Sequence, residues 1–224
     1  MISGKPLTSL ALGAVMSLSL FCSQSAMVIA EEYASLPASA EETTPLKTGD
    51  AAPSFVVQTV DGDAYSFDST ALERPTVLIS FRGGWCPYCN LHLSELRHVV
   101  PQLNEQGVDV LFLSGDAPSE LYSSLKDETQ EDIAGLGYTI LSDANIEAGL
   151  AFGTAFRTRD GLGSRLESRD YKVAEGSIGQ HNALSVPFVY VVNTDGEIVF
   201  DFVEPDYKVR LPADDLLAAA NLAR

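Results

Sequence analysis

Apolar residues in the middle of the chain follow two spacings, one typical of strands and the other of helices. Residues 76–81 (Thr-Val-Leu-Ile-Ser-Phe) form a mainly apolar and β-branched run, as expected for a strand covered on both faces. Two shorter runs at 55–60 and 64–67, joined by an Asp-Gly-Asp turn at 61–63, predict a β-hairpin before it. Apolar residues at helical spacing after it predict a helix from about residue 87 to residue 106.

The rest of the chain continues this alternation. Further strands are predicted at residues 108–114, 138–141, 188–192 and 197–203, and further helices from residue 118, at 145–152 and at 212–222. This order predicts an α/β fold, a three-layer sandwich whose central mixed β-sheet has helices on both faces and an N-terminal β-hairpin. Residues 153–185 are rich in glycine, serine and charge, and we expect them to form a long connection.

The first thirty residues have the pattern of an export signal. Lys5 gives a weakly positive start, residues 7–21 are apolar and uncharged, and Ala30 is a small residue at a suitable cleavage point. We therefore expect a signal peptide over residues 1–30 and a periplasmic or secreted protein. The alternative is a membrane anchor, because residues 7–30 carry no charge and are long enough to span a bilayer.

Composition changes after the signal and divides the remaining chain in two. Residues 31–47 are rich in Ala, Ser, Glu, Thr and Pro without a clear period, which predicts a flexible linker. Residues 48–224 have a length that suits one domain with a sizeable core. The formal net charge of −17 argues against nucleic acid and anionic membrane surfaces as partners, so membrane contact is expected only if the signal is not cleaved.

Two of the three cysteines, Cys86 and Cys89, lie at the junction between the predicted strand and the following helix. The third, Cys22, is interpreted as part of the signal. Partly positive N–H groups at the helix amino terminus favour the Cys86 thiolate. A CxxC pair in this position indicates redox chemistry, and the alternatives are half of a zinc site or a plain buried pair. No second Cys/His pair is available for zinc, so neither a metal nor a cofactor is expected.

Several segments resemble the peroxiredoxin-like branch of the thioredoxin superfamily, the alkyl hydroperoxide reductase/thiol-specific antioxidant group. The resemblance rests on the entry segment at 49–55, the strand and turn at 77–89, Ser185-Val186-Pro187 before the strand at 188–192, and the tail at 203–207 with Arg210 and Pro212. It covers roughly residues 48 to 222 and implies a thioredoxin-like fold.

The same resemblance implies roles for the two thiols. Cys86 would attack a peroxide and become a sulfenic acid, and Cys89 would then close a disulfide with it. A thioredoxin-like protein would reduce that disulfide. Pro187, cis as in the superfamily, would shape the groove for substrate or donor.

Five further residues near the motif are candidates for supporting roles. Trp85, the only tryptophan, would shield the thiol and offer a flat docking surface. Gly83 and Gly84 would let the backbone turn sharply and bring amide N–H groups near a bound oxygen. Arg82, and Arg210 from the tail resemblance, would stabilise the thiolate.

The chain departs from the peroxiredoxin pattern at two positions. Gly83 replaces the Thr or Ser that lies three residues before the attacking cysteine, and Ile79 replaces the upstream proline. Catalysis depends on groups aimed at the developing charge, so the absent hydroxyl keeps a second function open, that of a periplasmic thiol–disulfide oxidoreductase. A third is a copper metallochaperone using Cys86, Cys89 and His181.

Overall fold

The computed structural model describes residue 33 and residues 35–223. The predicted signal segment therefore lies outside the described residues. The unit that carries the sheet begins at Pro37. No helix in the described part of the chain is both long and apolar enough to cross a membrane.

Seven strands of the described chain form one mixed sheet. They are β1 (Phe55–Gln58), β2 (Ala64–Phe67), β3 (Thr76–Phe81), β4 (Asp109–Ser114), β5 (Thr139–Ser142), β8 (Phe188–Val192) and β9 (Ile198–Val203). Their order across the sheet is β2-β1-β5-β4-β3-β8-β9. Strands β3, β4 and β5 are parallel, whereas the two terminal hairpins are antiparallel. The predicted strands are confirmed within a few residues at each end.

Helices cover both faces of this sheet, as the alternation predicted. They are α1 (Pro87–Leu96), α2 (Val100–Glu105), α3 (Asp127–Ile133), α4 (Glu147–Ala151), α5 (Leu162–Glu167), α6 (Ser177–His181) and α7 (Ala213–Ala220). Val77, Ile79 and Phe81 of β3 pack in a core with α1, α2 and α7. Leu78 packs on the other face with Phe152, which follows α4. This division follows from the alternation of side chains along a strand.

The predicted helix at residues 87–106 is two helices, so that expectation was wrong in its extent. Helix α1 ends at Leu96 and α2 begins at Val100, with Pro101 in its first turn. A proline inside a continuous helix would lack a backbone donor and clash with the carbonyl four residues earlier. Pro101 is tolerated because it lies at the start of a new helix.

Residues 153–185 are not a plain connection, which corrects the second expectation. They form β6 (Ala155–Arg157), α5, α6 and β7 (Ala183–Ser185), and β6 pairs with β7 in a separate two-stranded sheet. Leu166, Val173, Ile178 and Leu184 make a small core of their own, against which Trp85 packs. These apolar residues are too irregularly spaced to show a period in the sequence.

Residues 37–47 contact the rest of the domain, whereas the sequence analysis predicts a flexible linker over that stretch. Leu46 N–H donates to the Phe152 carbonyl at 3.1 Å, and the Tyr190 hydroxyl donates to the Leu46 carbonyl at 2.9 Å. The Thr44 carbonyl lies beside Gly153, where a Cβ would be only 2.4 Å away.

Candidate active site

The two thiols lie at the carboxyl end of β3, where the chain enters α1. Strand β3 ends at Phe81, a short loop follows, and Cys86 is the N-cap residue of the helix. The parallel strands β4 and β5 end at the same edge of the sheet, which is where ligands bind in open α/β sheets. The junction expected from the sequence is therefore present.

The loop before Cys86 is a tight turn that only glycine allows at position 83. Cys86 N–H donates to the Gly83 carbonyl at 3.0 Å. Gly83 has a φ of 147°, and a Cβ there would lie 2.3 Å from Trp85 Nε1 and 2.6 Å from Asp116 Oδ1. No Thr or Ser fits at this position, which gives a steric reason for the departure from the peroxiredoxin pattern.

A side chain at position 84 would collide with Ser124, so glycine is required there as well. A Cβ there would lie 2.1 Å from Ser124 Oγ. Its N–H donates to Asp116 Oδ2 at 2.7 Å. The expectation that this amide would point to a bound oxygen is therefore wrong, because the amide is used to hold the loop.

The two thiols are reduced and have opposite acidities. The Cys89 thiol donates a hydrogen bond to the Cys86 sulfur. That bond is the main cause that lowers the pKa of Cys86 to about 6. Burial acts in the opposite direction and raises this pKa. The Cys89 N–H and the charges of Arg82 and Arg210 lower it further. Burial, followed by the interaction with Cys86, raises the pKa of Cys89. Cys86 is therefore the thiolate and Cys89 the protonated partner.

The two arginines reach the thiols from different directions. The Arg82 guanidinium lies between two rings, 4.2 Å from the Tyr207 centroid and 5.0 Å from the Trp85 centroid. Arg210 Nη2 lies 3.4 Å from the Cys89 sulfur rather than on Cys86. Both charges lower the pKa of Cys86, which agrees with the role expected for them.

Residues 204–211, which we call the C-terminal cover, lie over the motif. The Tyr207 ring meets the Tyr88 ring edge to face at 5.8 Å. His92 Nε2 lies 3.1 Å from the Leu211 carbonyl, and burial lowers the pKa of His92 to about 4, so the neutral imidazole donates to that carbonyl. Cys86 and Cys89 are each only 1% exposed. The cover therefore lies beside two thiols that are both nearly inaccessible to solvent.

Two polar residues that hold the loop were missed by the sequence analysis. Asp116, two residues after β4, accepts hydrogen bonds at Oδ2 from Gly84 N–H, Ser124 Oγ at 2.8 Å and Ser114 Oγ at 3.2 Å. Burial is the main cause that raises the pKa of Asp116 to about 6. Its position at a strand end was the only available signal, and it does not identify a partner.

Asn90 is the second missed residue. Its Nδ2 donates to the carbonyls of Gly84 at 2.7 Å and Cys86 at 3.0 Å, and its Oδ1 accepts from Lys126 N–H at 2.9 Å. This buried amide joins the active-site turn to the start of α3. An asparagine inside a helical pattern gives no indication of such a role.

Pro187 lies next to the site edge, but the expected cis bond is absent. All peptide bonds of the described residues are trans. Val186 N–H donates to Thr154 at 2.9 Å, and Ser80 Oγ donates to the Val186 carbonyl while accepting from Phe188 N–H. These bonds fix the backbone on either side of Pro187 at the entry to β8, and Pro187 itself is buried.

The proposed copper ligands are not brought together. Among the described residues, no group of three or more His, Cys, Asp or Glu side chains could hold a metal ion. His181 is the last residue of α6 and is half-buried. The metallochaperone interpretation therefore has no structural support.

Comparisons with known proteins agree with this site. The model of the AhpC/TSA family matches residues 48–201. Peroxiredoxin Bcp of Escherichia coli strain K12 is 33% identical over 110 residues, which are 49% of this chain and 65% of that protein. Thiol-disulfide oxidoreductase ResA of Halalkalibacterium halodurans is 25% identical over 107 residues, which are 48% of this chain and 57% of that protein. The matches thus span less than two thirds of either relative.

Solved structures show the same fold. A peroxiredoxin-like protein from Aquifex aeolicus superposes with a TM-score of 0.57 at 19% identity, covering 80% of this chain and 89% of the other. Peroxidoxin BcpB from Mycobacterium tuberculosis gives a TM-score of 0.56 at 19% identity, covering 80% and 99%. The predicted thioredoxin-like fold is confirmed.

Proposed function

Because the chain belongs to the AhpC/TSA family, we propose that it is a thiol-dependent peroxidase that reduces hydrogen peroxide or organic hydroperoxides. The observation that carries this proposal is the pairing of an acidic Cys86 with a protonated Cys89 that hydrogen-bonds it. The thiolate is the nucleophilic form of cysteine, and a second thiol within contact distance traps the oxidised product.

The reaction has three balanced steps. The Cys86 thiolate attacks the terminal peroxide oxygen, so that an S–O bond forms, the O–O bond breaks, and the departing alkoxide or hydroxide takes a proton from water. The Cys89 thiol then attacks the sulfenic acid sulfur and releases one water, leaving a Cys86–Cys89 disulfide. Finally, a dithiol donor of the thioredoxin type gives two electrons and two protons and restores both thiols.

Arg82 and Arg210 support the first two steps through their charge. Both stabilise the thiolate form of Cys86, and Arg210 also opposes the rise in the pKa of Cys89. Deprotonation of Cys89 is needed before it can attack the sulfenic acid. The arginine that touches Cys89 therefore favours the second step as well as the first.

Stopped-flow oxidation of the reduced protein by hydrogen peroxide tests this function. We expect a rate well above that of a free thiol, no reaction at the active site in Cys86→Ser, and a trapped sulfenic acid in Cys89→Ser. A wild-type rate equal to that of a free thiol would reject the peroxidase. Turnover with a thioredoxin-like donor and loss of peroxide together would identify the reductant class.

A second candidate is thiol–disulfide exchange with protein cysteines. It is favoured by the absence of a hydroxyl at Gly83 and by the partial match to ResA. In that case, the same two thiols would form a mixed disulfide with the partner. Reduction of a scrambled disulfide-containing protein without peroxide turnover would support exchange over peroxidase activity.

We further propose that the protein acts outside the cytoplasm, in the periplasm or as a secreted protein. The support is the signal-like pattern of residues 1–30 and a chain that beyond them contains only the two cysteines of the motif. Mass spectrometry of the protein from its native host tests this. A mature amino terminus near residue 31 is expected, and an intact signal would favour the anchored alternative.

A further inference from the structure

Two adjacent residues of the C-terminal cover contact two residues that lie one turn apart on helix α1. Arg210 Nη2 lies 3.4 Å from the Cys89 sulfur. The next residue, Leu211, accepts a hydrogen bond at its carbonyl from His92 Nε2 at 3.1 Å. Cys89 and His92 are neighbours on one side of α1, because residues three apart in a helix project the same way. The two contacts therefore act at the same place on the cover.

The Arg210 side chain has little else to hold it in place. None of the ion pairs among the described residues includes Arg210. Its Nε is buried without a hydrogen-bond partner in that part of the chain, and its Nη1 donates to the carbonyl of its own neighbour, Val209. Because no carboxylate fixes this guanidinium, its location depends on the backbone that carries it.

The backbone beside Arg210 is fixed by a shielded hydrogen bond. Leu211 and His92 are each 5% exposed, whereas residues 206–209, on the other side of Arg210, are exposed. Backbone N–H groups within that exposed run donate to other residues of the cover itself. The bond from His92 therefore ties the backbone next to Arg210 to the helix that carries Cys89.

His92 is itself uncharged. Burial and, after it, the charge of Arg210 lower the pKa of His92, so the imidazole is neutral at physiological pH. A neutral ring has no net charge with which to act on the thiols directly. Any effect of His92 on the thiols therefore passes through the backbone that it holds.

We propose that His92 is a positioning residue for the second step, because its hydrogen bond to the cover keeps the Arg210 guanidinium against the Cys89 sulfur. This assignment rests on the proposed peroxidase function. Burial is the main cause that raises the pKa of Cys89, and the Arg210 charge is the first of the causes that lower it. Since Cys89 attacks the sulfenic acid as a thiolate, displacement of Arg210 slows closure of the disulfide.

Replacement of His92 at about pH 8, where Cys86 is a thiolate, tests this role. His92→Leu removes the donor but keeps a side chain of similar size. We expect the dimedone-trapped sulfenic acid to persist about two- to tenfold longer, the size of one hydrogen bond. His92→Gln can place an amide N–H where Nε2 lies and should restore the wild-type lifetime. His98→Leu is the control, because His98 is exposed between α1 and α2, and it should change nothing.

Two further measurements separate positioning from a purely structural role. Added to Arg210→Met, His92→Leu should cause no further delay, because the charge that His92 positions is already absent. The equilibrium of the Cys86–Cys89 pair with glutathione should shift toward the disulfide by a similar factor in His92→Leu, since a charge that stabilises thiolates favours the reduced pair. If His92→Leu does not fold, His92→Met replaces it, because Met also lacks a donor and fills irregular gaps.

Each outcome decides the proposal. A wild-type lifetime in the variant without a donor, or a delay that persists in His92→Gln, would overturn the positioning role. Delays from His92→Leu and Arg210→Met that multiply in the double variant would show that the two residues act independently, which also overturns it. A wild-type rate with hydrogen peroxide no faster than a free thiol would reject the peroxidase function, whereas the glutathione equilibrium would still test His92.

Discussion

Arg210 Nη2 contacts Cys89, the thiol that stays protonated, at 3.4 Å from its sulfur, rather than Cys86. Its charge lowers the pKa of both cysteines. The position of Arg210 thus joins the attacking and resolving thiols to the C-terminal cover. A change at Arg210 should therefore affect the second step of the reaction as well as the first.

Arg210→Met, which removes the charge but keeps the length, should raise the pKa of both cysteines. We expect the sulfenic acid of Cys86 to persist longer, with disulfide formation slowed by a factor on the order of ten or less, because less Cys89 thiolate is present. Quenched-flow trapping with dimedone measures this lifetime. Arg210→Lys keeps the charge and serves as the control; equal lifetimes in all three proteins would contradict the role.

Tyr207→Ala should open the C-terminal cover. The substitution removes the ring that stacks on Arg82 and meets Tyr88, so the nearly inaccessible Cys86 sulfur should become easier to reach. We expect iodoacetamide alkylation to accelerate several-fold and amide exchange over residues 204–211 to increase. Tyr65→Ala, in strand β2 at the opposite edge of the sheet, should leave both unchanged. Unaltered alkylation in Tyr207→Ala would show that the cover does not limit access.

The alkylation rate of Cys86 should depend on pH with a midpoint near its lowered pKa of about 6. The thiolate fraction, and with it the rate, rises through that value and is level above about pH 7. Because the hydrogen bond from Cys89 is the main cause, Cys89→Ala should move the midpoint upward, whereas Cys89→Ser keeps a donor and should move it less. An ordinary thiol midpoint in the wild type would contradict this assignment.

The contribution of Asp143 to stability should decrease as pH rises through its titration. Burial raises the pKa of Asp143 to about 7, above its ordinary value of 3.8. An acid whose pKa is raised on folding contributes its full stability at a pH below its pKa in the unfolded chain. That contribution is lost as the pH rises through its pKa in the folded protein. We expect the free energy of unfolding to fall by on the order of 2 kcal/mol between pH 5 and pH 8 from this group.

Urea unfolding at the two pH values measures that change. In Asp143→Asn, the free energy of unfolding at pH 8 relative to pH 5 should be higher than in the wild type by on the order of 2 kcal/mol. The pH dependence that remains should combine a fall from Asp116, whose pKa is raised to about 6, with opposing rises from Cys86 and His92, whose pKa values are lowered to about 6 and about 4. If the free energy of unfolding of Asp143→Asn changes between pH 5 and pH 8 by the same amount as that of the wild type, Asp143 does not cause the pH dependence.

Gly83→Ser should not increase the peroxidase activity, even though it supplies the missing hydroxyl. Its φ of 147° and its contacts with Trp85 and Asp116 leave no room for a Cβ, so we expect a loss of about 2–4 kcal/mol in stability. Gly62→Ser is the control, because Gly62 has a φ of 84° but nothing near its Cβ, and it should cost only about 1 kcal/mol. A stable and faster Gly83→Ser protein would contradict the steric argument.

The sequence by itself determined the strands and helices around the sheet, the junction that carries Cys86 and Cys89, and the class of redox chemistry. These features depend on local spacing: apolar residues at period two or 3.6, and two thiols one helical turn apart. The same local rules did not predict the break at Pro101, because the apolar positions on either side continue one helical pattern.

Only the tertiary structure decided which distant groups surround the thiols. Asp116 follows another strand, Tyr207 and Arg210 come from beyond β9, and residues 153–185 fold into a core behind Trp85. Each of these contacts joins residues far apart in the chain, so it leaves no periodic signal. The excluded side chain at Gly83 likewise becomes evident only when Trp85 and Asp116 are placed beside it, since crowding is a property of the packed fold.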